Sequence, residues 1–323
     1  MKTSVSLYLD CDTGIDDALA LTYLLNTPAV DLVGIGTVSG NTSSEEAAVN
    51  TAALLALADR SEIPVAVGAH DPIAGSYRGG APDVHGSNGV GDVALSGGAA
   101  PVAETAPHMI VRLARTHPGK LDVVAIGPLT NLAKALELDP TLPNLVSTLT
   151  IMGGAVWVPG NITAAAEANI FNDAEAARRV FRAGFRINLV PLDVTLQHRF
   201  DDGDADLLAR TGSDLHIALG QMLHRYIDFY ESVDFIRRAP LHDPLAAAIA
   251  AGEVTPTQIR EVPLDVVLES ANRGQTVPVD TPGDPLVRVI VAAQESAATV
   301  ILDRIMASAV RTAPSPSAER LGT

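Results

Sequence analysis

The pattern of apolar and polar positions divides most of the chain into two kinds of segment, which follow one another in turn. Short runs rich in Val, Ile and Leu, several of them apolar without alternation, are typical of strands covered on both faces. They span Val5–Asp10, Leu32–Val38, Val65–Val67, Leu121–Ile126, Leu149–Met152 and Ile187–Val190. Between them lie Ala- and Leu-rich stretches with helical spacing, at Asp17–Leu25, Glu45–Ala58, His108–Arg115, Leu129–Leu136 and Ala174–Ala183. This order predicts an α/β fold with an open, mostly parallel central sheet and helices on both faces.

The final third of the chain carries a different pattern. Beyond about Asp201 the strand signal weakens, and the spacing at Asp204–Glu231 and Asp243–Ala251 predicts a helical C-terminal part. Because no Pro- or Ser-rich linker divides the chain, we expect a single domain over residues 1–312. The remaining segment, residues 313–323 (APSPSAERLGT), has the composition of a disordered tail.

Charge and cysteine content narrow the class of protein. The 323 residues include 38 acidic and 22 basic side chains, a formal net charge of −16. Such a surface favours cations and repels nucleic acid and anionic lipid, so we expect neither nucleic acid nor membrane as a partner. The single cysteine, Cys11, excludes an internal disulfide and a cysteine-rich zinc site. No apolar run reaches the roughly 18 residues of a membrane span. The N-terminus turns acidic too early for a signal peptide, so we expect a cytoplasmic protein.

The densest chemical signal lies where the first predicted strand meets the first helix. Asp10, Asp12, Asp16 and Asp17 fall within eight residues, and Gly14 lets the chain turn so that the acids face one point. Helix capping accounts for only one or two of them. Crowded carboxylates repel one another unless a cation lies among them, and oxygen ligands select Ca²⁺ or Mg²⁺. We therefore predict a metal site, although the spacing is not that of an EF-hand.

Motifs along roughly residues 5–250 resemble the inosine–uridine preferring nucleoside hydrolases, in that family's order. They are DxDxGIDDALA at 10–20, VSGN at 38–41, GPLTNLA at 127–133, MGGA at 152–155, PGNIT at 159–163, AEANI at 166–170, DAEAA at 173–177 and HD at 242–243. One such match is weak, whereas the ordered series is specific. The resemblance implies the nucleoside hydrolase fold and Ca²⁺-dependent hydrolysis of the N-glycosidic bond of ribonucleosides, purine or pyrimidine, to free base and ribose.

The resemblance also implies a ligand set for the metal. A Ca²⁺ ion would hold both a water molecule and the 2′ and 3′ hydroxyls of the ribose. Its ligands would be Asp12, Asp17, Asp243 and the backbone carbonyl of Ile126, which ends an apolar strand. Asp12 would also accept the proton of the water as the general base. Taken alone, Asp243 could also be the cap of the helix that follows it, but the acidic cluster that it would join favours a ligand.

The same resemblance assigns side chains to the sugar. The implied contacts are Asp16, Asn41 and Asn169 to the secondary hydroxyls, Asn161 and Glu167 to the 5′ hydroxyl, and Met152 beneath the ring. Carboxylates and amides suit this task because they accept from, or donate to, a hydroxyl group. Without the resemblance, the asparagines are also typical of turns, and the methionine is typical of a core.

The nucleobase has fewer assigned partners. His242 is the implied general acid for the leaving base, since a histidine pKa near neutrality suits proton donation; a role as a base contact stays open. Tyr226, Phe229 and Tyr230 lie on one face of a helix, where they would stack against the base or simply form a hydrophobic stripe.

A long connection and three departures from the family pattern bear on substrate preference. Residues Gly75–Ala100 are rich in Gly, Ser and Pro and form a candidate active-site flap, in which His85 resembles part of a loop that closes over substrate. Ala168 replaces a common aromatic residue, Trp157 replaces a small one, and the sequence of the flap at 83–91 is unusual. These departures leave the preferred nucleobase open.

Two other functions share some of these residues. Asp10, Asp12 and Thr13 also resemble the first motif of haloacid-dehalogenase-type phosphatases, which use Mg²⁺, but we find no suitably placed lysine. A non-catalytic nucleoside- or ribose-binding protein on the same scaffold is the third possibility, and the presence of Asp12 as a base argues against it. A small-molecule ribonucleoside is the expected partner. The resemblance further implies a homodimer or homotetramer.

Overall fold

The computed structural model describes residues 4–269, 271–280 and 283–312, with side chains as far as residue 307. The strands are β1 (Val5–Cys11), β2 (Val30–Thr37), β3 (Val65–Val67), β4 (Leu121–Ala125), β5 (Val146–Met152), β6 (Ile187–Val190), β7 (Arg199–Phe200), β8 (Ala239–Pro240), β9 (Pro256–Val262), β10 (Leu264–Val266), β11 (Thr276–Pro278) and β12 (Val287–Ala293). The predicted disordered tail, residues 313–323, lies outside the described residues.

The helices surround these strands. They are α1 (Ile15–Leu25), α2 (Ser44–Leu57), α3 (Pro82–His85), α4 (Ala106–Thr116), α5 (Thr130–Leu138), α6 (Leu142–Leu145), α7 (Ala168–Asn172), α8 (Ala174–Arg182), α9 (Leu192–Thr195), α10 (Asp202–Ala209), α11 (Asp214–Asp234), α12 (His242–Ala250) and α13 (Ala297–Thr312). None of the helices among the described residues is both long enough and apolar enough to cross a bilayer.

Eight strands form one sheet in the order β3-β2-β1-β4-β5-β6-β12-β9. Every neighbouring pair is parallel except β12 with β9, which is antiparallel at the edge. The predicted α/β fold with an open, mostly parallel sheet is confirmed. The six strands expected from the sequence are six consecutive strands of this sheet.

Two layers of helices bury the two faces of the sheet. Leu7 and Leu9 of β1 join the core formed with α1, α11, α12 and α13, whereas Tyr8 between them joins the core formed with α4, α5 and α8. Successive residues of a strand point to opposite faces, so an uninterrupted apolar run is what a doubly covered strand requires.

The strand order reverses between β1 and β4, and this reversal positions the site. Asp10 of β1 pairs with Ala125 of β4, so both strands end at the same level. In open α/β sheets, ligands bind in the crevice outside the carboxyl ends of the strands at such a reversal. Asp12 and Ile126, which follow β1 and β4, therefore flank the expected binding crevice.

The C-terminal part is helical as predicted, with α10 and α11 occupying the first predicted helical region and α12 the second. It also contributes strands that the sequence pattern did not reveal. β9 reads PTQIREV, and each of its residues is exposed or only half-buried. An edge strand of this kind lacks the apolar run that identified the central strands.

Candidate active site

An acidic cluster lies at the reversal between β1 and β4. Carboxylate oxygens of Asp16, Asp17 and Asp243 lie within 4.8 Å of one another, and all three residues are buried. Asp16 and Asp17 open α1, while Asp243 lies in the first turn of α12, so two distant parts of the chain supply one cluster. The separation of more than 200 positions makes this meeting a product of tertiary structure.

Asp12 lies beside the cluster, outside this group of three. Its side chain is 1% exposed, and its Oδ2 accepts a hydrogen bond of 2.7 Å from the backbone N–H of Asn41. Its Oδ1 is buried without a hydrogen-bond partner among the described residues, as is Oδ1 of Asp16. Buried polar atoms are normally paired. The two free oxygens are therefore the points at which a cation or substrate hydroxyl fits.

Asp17 is held more firmly. Its Oδ1 accepts from the backbone N–H of Asp12 at 3.2 Å, and its Oδ2 accepts from the N–H of Gly14 at 2.7 Å and from Nδ2 of Asn41 at 3.1 Å. The backbone bond to Gly14 is the capping interaction expected of an acid in the first turn of a helix. Asp17 thus caps α1 and borders the cluster at the same time.

Glycines make room for these carboxylates. A Cβ at position 40 would lie 2.0 Å from Oδ2 of Asp12, and one at position 127 would lie 2.9 Å from its Oδ1. Gly14 is likewise needed for space and not for an unusual backbone conformation, because its φ of −94° and ψ of −162° are ordinary extended values. A Cβ there would lie 2.6 Å from Nδ2 of Asn41, so our expectation of a conformational role for Gly14 was wrong.

Burial and mutual repulsion raise the pKa values of the acids. Burial, then the charge of Asp16, raises the pKa of Asp17 to about 7. Burial raises the pKa of Asp243 well above its usual range, and the charges of Asp16, Asp17 and Asp12 add to the effect. A divalent cation among these groups would remove the repulsion, so the donor set fits a hard metal ion.

The carbonyl of Ile126 is free of the sheet ladder, as expected, but it has a side-chain partner. Nδ2 of Asn169 donates to it at 2.8 Å and to the carbonyl of Met152 at 3.3 Å. Asn169 thereby ties the ends of β4 and β5 together. Sδ of Met152 lies 3.5 Å from the same amide nitrogen, at the floor of the site.

Glu167 and Asn161 organise the loop on the opposite side. Glu167 caps α7, with Oε1 accepting from the N–H of Asn169 and Oε2 from the N–H groups of Gly154 and Ile170. Oδ1 of Asn161 accepts from the N–H of Ala168 at 3.0 Å, although Asn161 itself is exposed. Both side chains border the site as predicted.

A cavity of about 530 Å³ lies above the acidic cluster. The predicted site residues that line it are Asp16, Asn41, His85, Ile126, Met152, Asn161, Glu167, Asn169, Tyr226, Tyr230, His242 and Asp243. Asp12 and Asp17, each 1% exposed, are not part of this lining. The structure thus brings most of the predicted residues to one cavity, and Asp17 adjoins it through its cluster with Asp16 and Asp243.

One end of this cavity is aromatic, and we call it the base end. Ring centroids of Tyr226 and Tyr230 are 5.0 Å apart, and those of Phe229 and Tyr230 are 5.3 Å apart. The hydroxyl of Tyr226 donates to Oδ2 of Asp16 at 3.0 Å, which connects this end to the acids. The predicted aromatic face of α11 therefore does border the cavity.

His242 lies between two hydroxyl groups. Its Nδ1 is 2.8 Å from Oγ1 of Thr195, and its Nε2 is 2.9 Å from the hydroxyl of Tyr230. Burial lowers the pKa of His242 to about 4, although the charge of Asp16 opposes the shift. The imidazole is therefore neutral at pH 7 in the protein as described, whereas the sequence led us to expect a pKa near neutrality.

His85 belongs to the predicted flap, but its side chain is buried and is not exposed on the surface of the flap. Its Nδ1 accepts from the backbone N–H of Ile15 at 3.1 Å, and its ring centroid is 5.6 Å from that of Tyr226. The segment 75–100 forms the short helix α3 and otherwise irregular chain. His85 thus links this segment to the start of α1.

Sequence reasoning missed several residues that the fold brings to the site. Thr195 contacts His242, and Arg199 and Asp234 line the base end. Asn131 bridges strand ends, because its Nδ2 donates to Oδ1 of Asp10 and to the carbonyl of Thr37. Asn131 lies in the GPLTNLA motif, and this position could have identified it. Nothing in the local sequence marks Thr195, Arg199 or Asp234.

The fold and site together define a class of protein: an α/β protein with a buried acidic cluster beside a cavity at the carboxyl ends of its strands. Comparisons with known proteins identify the family. The sequence model of the inosine-uridine preferring nucleoside hydrolases matches residues 7–306. The chain belongs to this family and is a ribonucleoside hydrolase.

Individual relatives are similar over most of their length. A probable uridine nucleosidase 2 of Arabidopsis thaliana is 39% identical over 247 residues, 76% of each chain. A pyrimidine-specific ribonucleoside hydrolase RihA of Citrobacter koseri is 34% identical over 247 residues, covering 76% of this chain and 78% of that protein.

Solved structures agree with this assignment. A plant nucleoside hydrolase, the PpNRh1 enzyme, superposes with a TM-score of 0.89 at 33% identity, covering 93% of this chain and 98% of the other. A purine-preferring ribonucleoside hydrolase from Gardnerella vaginalis gives 0.90 at 31% identity, covering 94% and 99%. The family match favours the hydrolase over the phosphatase and the non-catalytic binding protein considered above.

Proposed function

We propose that this enzyme cleaves the N-glycosidic bond of ribonucleosides by Ca²⁺-assisted attack of water, with Asp12 as the general base. The observation that carries the proposal is the cluster of Asp16, Asp17 and Asp243 within 4.8 Å at the floor of a cavity whose other end is aromatic. An acidic floor suits a cation and a sugar diol, and an aromatic end suits a planar base.

The residues that would hold the ion are Asp12, Asp17, Asp243 and the carbonyl of Ile126. Ca²⁺ accepts six to eight oxygen ligands in flexible geometry, whereas Mg²⁺ usually keeps several waters and takes one or two carboxylates. Three carboxylates and a carbonyl therefore favour Ca²⁺. When bound, the ion would neutralise the crowded acids and act as a Lewis acid on oxygen ligands.

The chain's own residues would perform the remaining steps. Oδ1 of Asp12 is buried and accepts no hydrogen bond from the described residues, so it is available to take a proton from the attacking water. The backbone N–H of Asn41 fixes the other oxygen of this carboxylate at 2.7 Å. A base held in this way needs little reorganisation before proton transfer.

Binding of the ribose would use the polar groups around the acids. Oδ1 of Asp16 is unpaired and buried, and Asn41 and Asn169 offer amide groups beside it. Glu167 and Asn161 lie on the loop side, where the 5′ hydroxyl would fall. Such a site would reject a deoxyriboside, because its buried polar groups would be left without partners.

The base end would assist the leaving group. Thr195, His242 and Tyr230 form a continuous hydrogen-bonded chain that ends at the cavity. The outer members are hydroxyls, which both donate and accept, so the chain can deliver a proton through a neutral imidazole. This arrangement supports His242 as the general acid, with Tyr230 between it and the base.

The test is a panel of ribonucleosides assayed for release of reducing sugar. Uridine is the first substrate to try, because two relatives are named as uridine or pyrimidine hydrolases; cytidine, inosine and adenosine complete the panel. We expect turnover with Ca²⁺, loss on chelation and recovery when Ca²⁺ is restored. Absence of sugar release from every nucleoside at saturating Ca²⁺ would contradict the proposal.

Two controls separate the alternative functions. Vanadate-sensitive, Mg²⁺-dependent release of phosphate from 4-nitrophenyl phosphate would indicate the phosphatase. Tight binding of inosine without turnover would indicate the non-catalytic binding protein. The proposal predicts neither result.

A further inference from the structure

Arg199 is the only lysine or arginine among the described residues that line the cavity. Four acids, Asp16, Glu167, Asp234 and Asp243, line the same cavity. The one permanent positive charge is paired with Asp234, on the same helix as the aromatic side chains, rather than with a carboxylate of the acidic cluster. This asymmetry requires a chemical reason, because a ribosyl cation forming at the acidic end gains nothing from a guanidinium.

The topology places Arg199 next to the proposed acid. β7 pairs with β8 in antiparallel register, with Arg199 opposite Pro240, two positions before His242. The backbone N–H of Leu241 also donates to the carbonyl of His198 at 2.9 Å. The short β7–β8 ribbon therefore carries the guanidinium and the imidazole to the same part of the cavity.

The guanidinium is held but retains a free donor. Its Nη1 donates to Oδ2 of Asp234 at 2.7 Å and to the carbonyl of Arg238 at 3.1 Å, and the side chain is 17% exposed. Its Nη2 donates to no oxygen of the described residues. Asp234 is itself fixed, since its Oδ1 accepts from the N–H of Ile236 at 2.9 Å.

The charge of Arg199 acts on the groups around the expected base. The positive charge of Arg199 lowers the pKa of Tyr230, which burial raises overall. Tyr230 in turn contacts His242. Arg199 is thus within electrostatic reach of the aromatic face of α11.

We propose that Arg199 is a further catalytic residue, whose Nη2 donates to a carbonyl oxygen of the base on which negative charge builds as the base departs. This inference rests on the proposed hydrolysis. The C1′–N bond breaks with its electron pair going to the base nitrogen, while the water oxygen forms the new bond to C1′. Asp12 takes the proton of the water and returns it to solvent, and the base anion takes a proton through His242 or from solvent.

The mechanism defines a class of substrate. In uracil and hypoxanthine the negative charge spreads onto an exocyclic oxygen, which a guanidinium stabilises more strongly in the transition state than in the ground state. Adenine has no such oxygen. We therefore expect Arg199 to favour bases that carry a carbonyl group, uridine and inosine, over adenosine.

The experiment compares R199Q with the unmodified enzyme on leaving groups of different quality. Removing a preorganised donor from a developing anion typically lowers kcat by about 100- to 1000-fold, so we expect kcat/KM for uridine to fall by about 100-fold. The loss should shrink for 5-fluorouridine, whose base forms a more stable anion, and nearly vanish for 4-nitrophenyl riboside. R199K, which keeps the charge, should recover part of the uridine activity.

Asp234→Asn provides the matched control. Asparagine keeps the acceptor for the N–H of Ile236 but removes the ion pair with Arg199. If this pair had only a structural role, R199Q and D234N would lose equal activity. Our proposal predicts that D234N, which keeps the guanidinium and an oxygen to accept from it, loses less activity on uridine than R199Q does. R238Q alters a neighbouring arginine that does not line the cavity and should behave like the unmodified enzyme.

The outcomes separate this proposal from the proposed function. Equal losses of R199Q on uridine, 5-fluorouridine and 4-nitrophenyl riboside, with an active unmodified enzyme, would overturn the role of Arg199 alone. No sugar release by the unmodified enzyme would overturn the proposed hydrolysis instead. If R199Q fails to fold, as judged by thermal unfolding, the same three substrates are compared in R199K and D234N. Losses that are equal on all three substrates in both variants would then overturn the proposal.

Discussion

The two ends of the cavity are built differently. At the acidic end, Asp12 is 1% exposed, and Asp17 accepts hydrogen bonds from two backbone N–H groups. At the base end, Val233 and Ile236 are 58% and 46% exposed, and the walls are side chains of α11 and the loop after it. The acidic end thus consists of buried groups that backbone N–H groups fix, whereas part of the base end is exposed to solvent.

With the proposed function, this difference would allow one family to contain members named for uridine and members named for purines. The acidic end would need the same oxygens for every ribonucleoside. The base end would need only an aromatic wall and a means of stabilising the leaving group, which different side chains can supply. Variants at the two ends should therefore fail in different ways, the first on all substrates and the second selectively.

The largest effect is expected at the acidic end. Asp12→Asn removes the proposed base while keeping the hydrogen bond from Asn41, so we expect kcat to fall by about 1000-fold on every nucleoside. Stability and much of the metal affinity should remain, as measured by thermal unfolding and calorimetry. Asp31→Asn, an exposed acid on β2, is the control. Near-normal turnover by D12N would refute its role as base.

A smaller and selective effect is expected at the base end. His242→Ala interrupts the chain to Tyr230, so we expect about a 100-fold loss on inosine, within the usual range for general acid catalysis. The loss on 4-nitrophenyl riboside should be only a few-fold, because its leaving group needs no proton. Thr195→Val, which removes one partner of the imidazole, should give an intermediate effect. Equal losses on both substrates would contradict protonation of the leaving group.

Metal binding should distinguish the two ends without any assay of activity. Ca²⁺ at a hundred times its Kd should raise the free energy of unfolding by about 2.7 kcal/mol. Asp243→Ala should reduce this gain, while Tyr230→Phe at the base end should keep it. Unchanged Ca²⁺ affinity of D243A in calorimetry would count against Asp243 as a ligand.

The smallest effect is expected for the hydrogen bond between Tyr226 and Asp16, which joins the base end of the cavity to its acidic end. Tyr226→Phe removes the hydroxyl that donates to Asp16 at 3.0 Å. A hydrogen bond of this kind contributes about 0.5–1.5 kcal/mol, which corresponds to a reduction of kcat/KM by roughly two- to tenfold. The loss should be similar on uridine and inosine, since it acts through Asp16. A loss confined to one nucleobase would instead place Tyr226 among the base-reading residues.

Local sequence was sufficient for the central sheet and for the motifs. Several of the strands β1 to β6 are apolar on both faces, so a continuous or nearly continuous apolar run identified them. The acids of β1 and α1 lie within eight residues and were found together. The sequence pattern did not predict the edge strand β9, because its residues are exposed or half-buried. It did not predict the pair β7–β8, because a strand of two residues shows no periodicity.

What the sequence by itself determined is the type of chemistry: crowded carboxylates at a strand end, amides and a histidine in the order of one family. Only the tertiary structure decided which of these groups meet, that Asp16 joins Asp17 and Asp243 in one cluster, that Gly14 serves for space, and that Arg199 lines the cavity. The physical reason is the distance along the chain over which each effect acts. Periodicity and capping act over a few neighbouring residues, whereas the contacts of Asp243, Thr195 and Arg199 depend on strand order and on a two-residue ribbon far along the chain.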